Sequence, residues 1–137
     1  LSPGDFGFHN ALHRPSKELV FFDFEYFGWD DPVKLISDFW WHPGMQLSER
    51  QKEQWLDDCL LLYGDSSEVA TRLDAAHPLY GLRWALIVLN PFLRSGWGRR
   101  AHAQPDEKVK RGNVLSGQLS KAKNICQKVE AWLQVHS

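Results

Sequence analysis

At 137 residues the chain has the length of one domain and is long enough to bury a core. Its 16 basic and 17 acidic residues nearly cancel, which argues against bulk attraction to nucleic acid or to an anionic membrane. The longest apolar stretch, around Ala85 to Leu89, is too short to span a bilayer, and Leu1-Ser2-Pro3-Gly4 lacks the charged start and apolar run of a signal peptide, so a cytoplasmic location with no membrane partner is expected.

The first thirty residues read as β structure with loops. Ala11-Leu12-His13 is a short strand, Arg14-Pro15-Ser16-Lys17 a turn with the φ of proline preset, and Leu19 to Phe24 the second arm of a hairpin. From residue 31 the chain reads helical. Asp31-Pro32 combines an N-cap with proline at the first helical position, and that helix ends near His42-Pro43-Gly44. Ser48-Glu49-Arg50-Gln51 is a capping box that opens a second helix, with Trp55, Cys59, Leu62 and Tyr63 on one face. Gly64 ends it, and Asp65 caps a third segment through Leu73. A fourth, from about Tyr80 to Leu93, is apolar nearly all round and is expected to be central and buried. Arg94 to Pro105 is a basic, glycine-bearing loop. The last helix runs from about Asp106 to Gln134, with Val114, Leu115, Leu119, Ala122, Ile125, Cys126, Val129 and Trp132 as its core stripe and with Gly112 and Gly117 weakening its first half. The expected architecture is a single α+β domain, predominantly helical, with a loop and hairpin in residues 1–30 and a helical subdomain in residues 31–137.

Asp5, Asn10 and Asp23 carry the chemistry. Asn10 lies five residues after Asp5, and Asp23 thirteen residues further on. A carboxylate that orients an attacking hydroxyl, followed by an amide and a second carboxylate that hold magnesium against phosphates, is the set that ATP-dependent phosphoryl transfer needs. Protein kinases use an H-R-D-x-x-x-x-N loop and then a metal-binding Asp in DFG. Asp5-Phe6-Gly7 spells DFG literally, but only four residues stand upstream of it, too few for a catalytic loop. With Asp5 in the catalytic position instead, Asn10 takes the fifth place and Asp23 the end of the following hairpin. Hard oxygen ligands of this kind suit Mg²⁺.

The stretch Ser2-Pro3-Gly4-Asp5-Phe6-Gly7-Phe8-His9-Asn10-Ala11-Leu12, followed by Val20-Phe21-Phe22-Asp23-Phe24-Glu25, resembles the catalytic core of aminoglycoside phosphotransferases and choline kinases. Their loop reads H-G-D-x-x-x-x-N and is followed by a strand ending in I-D-F/W-E. Gly28-Trp29-Asp30-Asp31-Pro32-Val33-Lys34-Leu35-Ile36-Ser37-Asp38 is similar to the family's G-x-x-x-P-x-x-D-L/F segment. The resemblance covers about the first forty residues. It implies the C-terminal lobe of a kinase-like fold, with Asp5 as catalytic residue, Asn10 and Asp23 as Mg²⁺ and ATP (or GTP) ligands, and Asp38 bracing the catalytic loop through its backbone amides. It also implies a small-molecule hydroxyl as substrate. Pro3 stands where the family has His, which marks a divergent branch.

No G-x-G-x-x-G loop, Walker A loop or V-A-I-K strand lysine occurs in a suitable place. A missing N-terminal nucleotide-binding lobe is therefore an expected partner. The chain lacks an initiator Met and is expected to be a piece of a longer protein that begins just ahead of the loop. Two further readings compete: a kinase-like binding or regulatory module that no longer phosphorylates, and an unrelated helical interaction domain. Among the remaining residues, Glu25 reads as a surface or second-metal carboxylate, and Asp30 and Asp31 as helix caps. His9 and His13 read as ordinary loop and strand residues, and His42, His77 and His102 as loop residues without obvious partners. Trp40 and Trp41 read as core packing, with one of them a candidate pocket wall, in a chain whose seven tryptophans imply an aromatic core. The basic stretch Arg94, Arg99, Arg100, Lys108, Lys110 and Arg111 reads as solvated surface. Cys59 and Cys126 make no CxxC or metal pattern and read as reduced thiols.

Overall fold

A computed structural model describes residues 1–63, 67–93 and 111–136. The fold is α+β and mostly helical, with one two-stranded antiparallel hairpin among the described residues. The chain forms two compact units, Leu1–Tyr80 and Gly81–Ser137.

The first unit opens with an irregular segment and a 3-10 turn at Phe8–Asn10, which leads into strand β1 (Ala11–His13). Strand β2 (Leu19–Phe21) pairs with it antiparallel, Leu12 opposite Val20. The connecting turn closes through Arg14 N–H to the Glu18 carbonyl and Lys17 N–H to the Arg14 carbonyl, both 2.9 Å. β2 stops at Phe21, short of the expected Phe24, because Asp23 takes a left-handed φ of 62° that an extended strand cannot carry. One more bond, Phe22 N–H to the Asn10 carbonyl at 3.0 Å, extends the pairing past the strand ends.

Helix α1 (Pro32–Trp41) begins as its sequence dictates. The Asp31 side chain accepts the Val33 N–H at 3.0 Å, and Pro32 stands where an N–H would have no partner. Arg72 reaches the same Asp31 carboxylate. Helix α2 (Glu49–Tyr63) starts with the expected capping box: Ser48 N–H donates to Gln51 Oε1 at 2.9 Å, and Gln51 N–H to Ser48 Oγ at 3.4 Å. Val33 and Ile36 of α1, Cys59 of α2, and Val69 and Leu73 of the next helix form the buried core, with Trp55, Leu56 and Tyr63 packed against it. Burial, aided by the Asp58 charge, pushes the Cys59 thiol up to about 11, so it stays protonated. Cys59 and Cys126 are both free thiols.

The third and fourth expected segments are one helix, α3 (Ser67–Val88), which runs through Pro78. Proline has no N–H to give the preceding turn and would normally end or kink a helix. Here the turn before it is held from outside. His77, fully buried, meets Ser37 Oγ with Nδ1 at 3.0 Å, and its carbonyl accepts the Trp41 Nε1–H at 2.8 Å. His77 is thus a buried helical residue rather than a loop one, and Trp40 and Trp41 both pack against its ring, with centroids 4.8 and 5.1 Å away. Lys52, buried on α2, lies over the Trp40 ring at 4.3 Å and pairs with Glu49 at 2.8 Å. The positions proposed for Gly64 and Asp65, for the loop from Arg94 to Pro105 with its His102, and for the start of the last helix with Lys108 and Lys110 lie outside the described residues.

In the second unit, Ala85 and Val88 of α3 are buried, a 3-10 turn follows at Asn90–Phe92, and helix α4 spans Arg111–His136. The expected all-round burial of the segment from Tyr80 does not hold: Leu82 is 43% and Leu86 69% exposed, because packing claims only the side that carries Ala85 and Val88. On α4 the stripe is as expected through Ala122, Ile125 and Val129, all buried. Leu119 is the exception, on the exposed side. Gly112 and Gly117 face open space, where an added Cβ would meet nothing within 4 Å. Among the described residues no helix is long and apolar enough to cross a membrane.

Candidate functional site

Three ties bring the start of the chain against the hairpin. Ser2, 2% exposed, exchanges both backbone bonds with Gly28 (2.7 and 3.0 Å), which lays residues 1–7 beside residues 22–28. Gly4 follows at φ 75°, so close that a Cβ there would lie 2.6 Å from the Tyr26 Cβ and 2.7 Å from its carbonyl oxygen. Phe6 then anchors the loop. It stacks on Phe21 of β2 at 4.7 Å and on Phe39 of α1 at 5.8 Å, and Phe39 stacks in turn on Trp55 of α2 at 4.1 Å.

The loop that results places Asp5, Asn10 and Asp23 around one shallow, solvent-facing recess, together with Pro3, Phe22 and Phe24, which encloses no water-sized volume. Asn10 is 8% exposed, and its side-chain Nδ2–H donates to the Asp5 backbone carbonyl at 2.9 Å. That bond closes the loop over the five-residue interval and commits the amide nitrogen. The amide oxygen is left as the group available to a cation. Asp23, at left-handed φ, projects from the bend just past β2. Aspartate tolerates this conformation better than most residues.

The surroundings are acidic. The Tyr26 phenol is raised above its ordinary range by a hydrogen bond to Glu25, then by the Glu25 charge, with smaller contributions from burial and from the charges of Asp23 and Asp5. Glu25 is exposed and engaged with this phenol. Asp30 accepts the Asp31 N–H at 2.8 Å and pairs with Lys34 at 2.7 Å, so both acids serve the start of α1 as expected. Asp38, expected to brace the loop, lies 3.6 Å from Lys34 on its own helix, and its charge is felt at His42.

Two histidines belong to the site that sequence reading treated as bystanders. His9 Nε2 lies 3.2 Å from Asp5 Oδ1. The His9 ring stacks on His42, with centroids 4.4 Å apart and planes 6° apart. His42 closes α1 with its backbone N–H on the Asp38 carbonyl, and its Nδ1 accepts the Gly44 N–H at 3.0 Å. Its pKa is lowered, first by burial and then by the neighbouring His9, against the opposing pull of Asp5 and Asp38. Met45, 6% exposed, completes the wall by accepting the Phe8 N–H on Sδ at 3.3 Å. The spacing of Asp5 and His9, four residues apart, was the available signal. The contacts from residues 42 and 45 had none, because they depend on where α1 ends.

The donor set can be tested against magnesium. Among the described residues no three His, Cys, Asp or Glu side chains cluster as an all-protein metal site. A carboxylate and an amide are ligand types that suit an ion taking few protein ligands and completing its shell with water and phosphate oxygens. No family model, no curated protein and no solved structure matches the chain.

Proposed function

We propose that this chain is the substrate-side, C-terminal lobe of a kinase-like phosphotransferase that moves the γ-phosphoryl group of ATP (or GTP) to a hydroxyl of a small molecule. The observation that supports the reading is that Asp5, Asn10 and Asp23 line one shallow recess, an acid for the hydroxyl and two residues with hard oxygen ligands within one loop and hairpin. On this reading Asp5 orients the substrate hydroxyl and accepts its proton. The hydroxyl oxygen forms its bond to the γ-phosphorus in line, the bond from phosphorus to the β,γ-bridging oxygen breaks, and the nucleoside diphosphate leaves. Asn10 and Asp23 would hold Mg²⁺, which when bound offsets charge on the phosphates. On this reading the glycine-rich phosphate loop and strand lysine would belong to a separate nucleotide-binding lobe.

A kinase-like lobe that only binds is favoured by Pro3 in the place of the family's His. One experiment separates the two. The intact protein is assayed with ATP and Mg²⁺ against a panel of hydroxyl-bearing metabolites, beside Asp5→Ala. Phosphorylation of a panel member, reduced about 10²- to 10⁴-fold by the substitution, is expected. Equal turnover by both proteins removes Asp5 from the chemistry, and no turnover on any compound favours the binding module. On this reading the 137 residues alone should turn over nothing, because a nucleotide-binding lobe would have to supply the other half of the cleft.

A further inference from the structure

We infer that His9 is a positioning residue for Asp5, held in place by His42 and given room by Gly7. The inference rests on the phosphotransfer reading of Asp5 and adds to it a residue that the three-residue set does not contain.

The geometry is a chain of contacts leading from the recess to the end of α1. His9 Nε2 faces Asp5 Oδ1 at 3.2 Å. The 3-10 turn at Phe8–Asn10 makes this possible by folding residue 9 back over residue 5, with Asn10 N–H on the Gly7 carbonyl at 3.0 Å. The far face of the His9 ring is not in open water. It lies flat on His42, whose own ring is pinned through Nδ1 to the Gly44 N–H. A stacked ring cannot swing without losing that contact, so the nitrogen that meets Asp5 is fixed in direction. With one carboxylate oxygen of Asp5 engaged, the other is the one turned to a substrate hydroxyl. A carboxylate fixed in this way presents one orientation, where a freely rotating one presents several.

Gly7 is required by the same arrangement. A Cβ at that position would lie 2.7 Å from His9 Cε1 and Nδ1 and 1.9 Å from the Met45 methyl group. Its φ of 171° is extended and open to any residue, so the constraint is space. A side chain at residue 7 would force both the Met45 methyl group and the His9 ring to shift.

The test uses the intact protein and the panel compound on which it is most active. His9→Ala should lower kcat about ten- to a hundredfold with KM within about twofold, since the substrate still binds while Asp5 is misdirected. His9→Gln restores a nitrogen donor on the same side and should recover most of the loss. Gly7→Ala should reproduce the kcat defect of His9→Ala. In the Asp5→Ala background, His9→Ala should cost nothing further. Thermal midpoints measured beside each assay show that the variants are folded. A His9→Ala protein with undiminished kcat, while Asp5→Ala is inactive, overturns the positioning role and leaves the phosphotransfer reading standing. Loss of kcat and thermal midpoint together, with no recovery in His9→Gln, reduces His9 to a packing residue and likewise overturns it. Full turnover by Asp5→Ala overturns the reading, and this inference with it.

Discussion

Gly4 at φ 75° and Asp23 at φ 62° occupy the same sparsely populated backbone region for different reasons. At Gly4 nothing larger fits, because the Tyr26 backbone is 2.7 Å from where a Cβ would stand. Gly4→Ala should therefore lower stability by about 2–3 kcal/mol in urea unfolding, from unfavourable φ and a clash with main chain that cannot swing aside. A loss under about 0.5 kcal/mol would show that the loop rearranges freely. At Asp23, one of the residues that line the recess, the left-handed φ is one that aspartate tolerates. Asp23→Asn should stay within about 0.5 kcal/mol of the parent, and Asp23→Ala should lose about 1 kcal/mol, since asparagine accepts left-handed φ and alanine does not. Both should lose phosphotransfer if Asp23 is a metal ligand. Asp5, Asn10 and Asp23, which line the recess, stood out in the sequence by residue type and spacing and were legible at this scale. Gly7 and Met45 were not, because what they need is space, and space is a property of the folded chain.

Helix starts were legible for a local reason. Asp31-Pro32 and Ser48 to Gln51 carry their own hydrogen-bond partners within four residues, so sequence and structure agree at both. The joining of α3 across Pro78 was not legible, because its ties to Ser37 and Trp41 come from forty and thirty-six residues away. The two kinds of bond should differ in worth. Ser48→Ala exposes its orphaned groups to water and should cost about 1 kcal/mol. Ser37→Ala takes away the partner of His77 Nδ1 at a fully buried site and should cost about 1–3 kcal/mol. Urea midpoints of the two variants give the order. If Ser48→Ala proved the more costly, the long-range tie would not be what carries α3 through its proline.

For the chain as a whole, the α+β class and the helical majority follow from patterning, whereas the division at Tyr80 cuts through a single helix and leaves no mark in the sequence. The interior of the first unit holds histidines that composition cannot place, and one of them makes stability depend on pH. His42 has a pKa lowered by burial and by His9, with Asp5 and Asp38 pulling the other way. The unfolded chain, with an ordinary histidine value of about 6.5, takes up a proton that the folded chain resists. Above that value both states are neutral at His42 and its contribution is complete. As pH falls below it, the unfolded state is protonated first and stability is lost until the folded pKa is passed. The Gly44 N–H on Nδ1 acts in the same sense, because protonation there would break the bond. Urea midpoints at pH 7.5, 6.5 and 5.5 should therefore fall more steeply for the parent than for His42→Asn, whose side-chain oxygen can take the Gly44 N–H without titrating. Carboxylates in their ordinary range titrate lower and are common to both proteins, so they leave the comparison intact in this window. Parallel declines would mean that the proton enters His42 with no cost to the fold, and that the ring stack with His9 is loose enough to admit a charge.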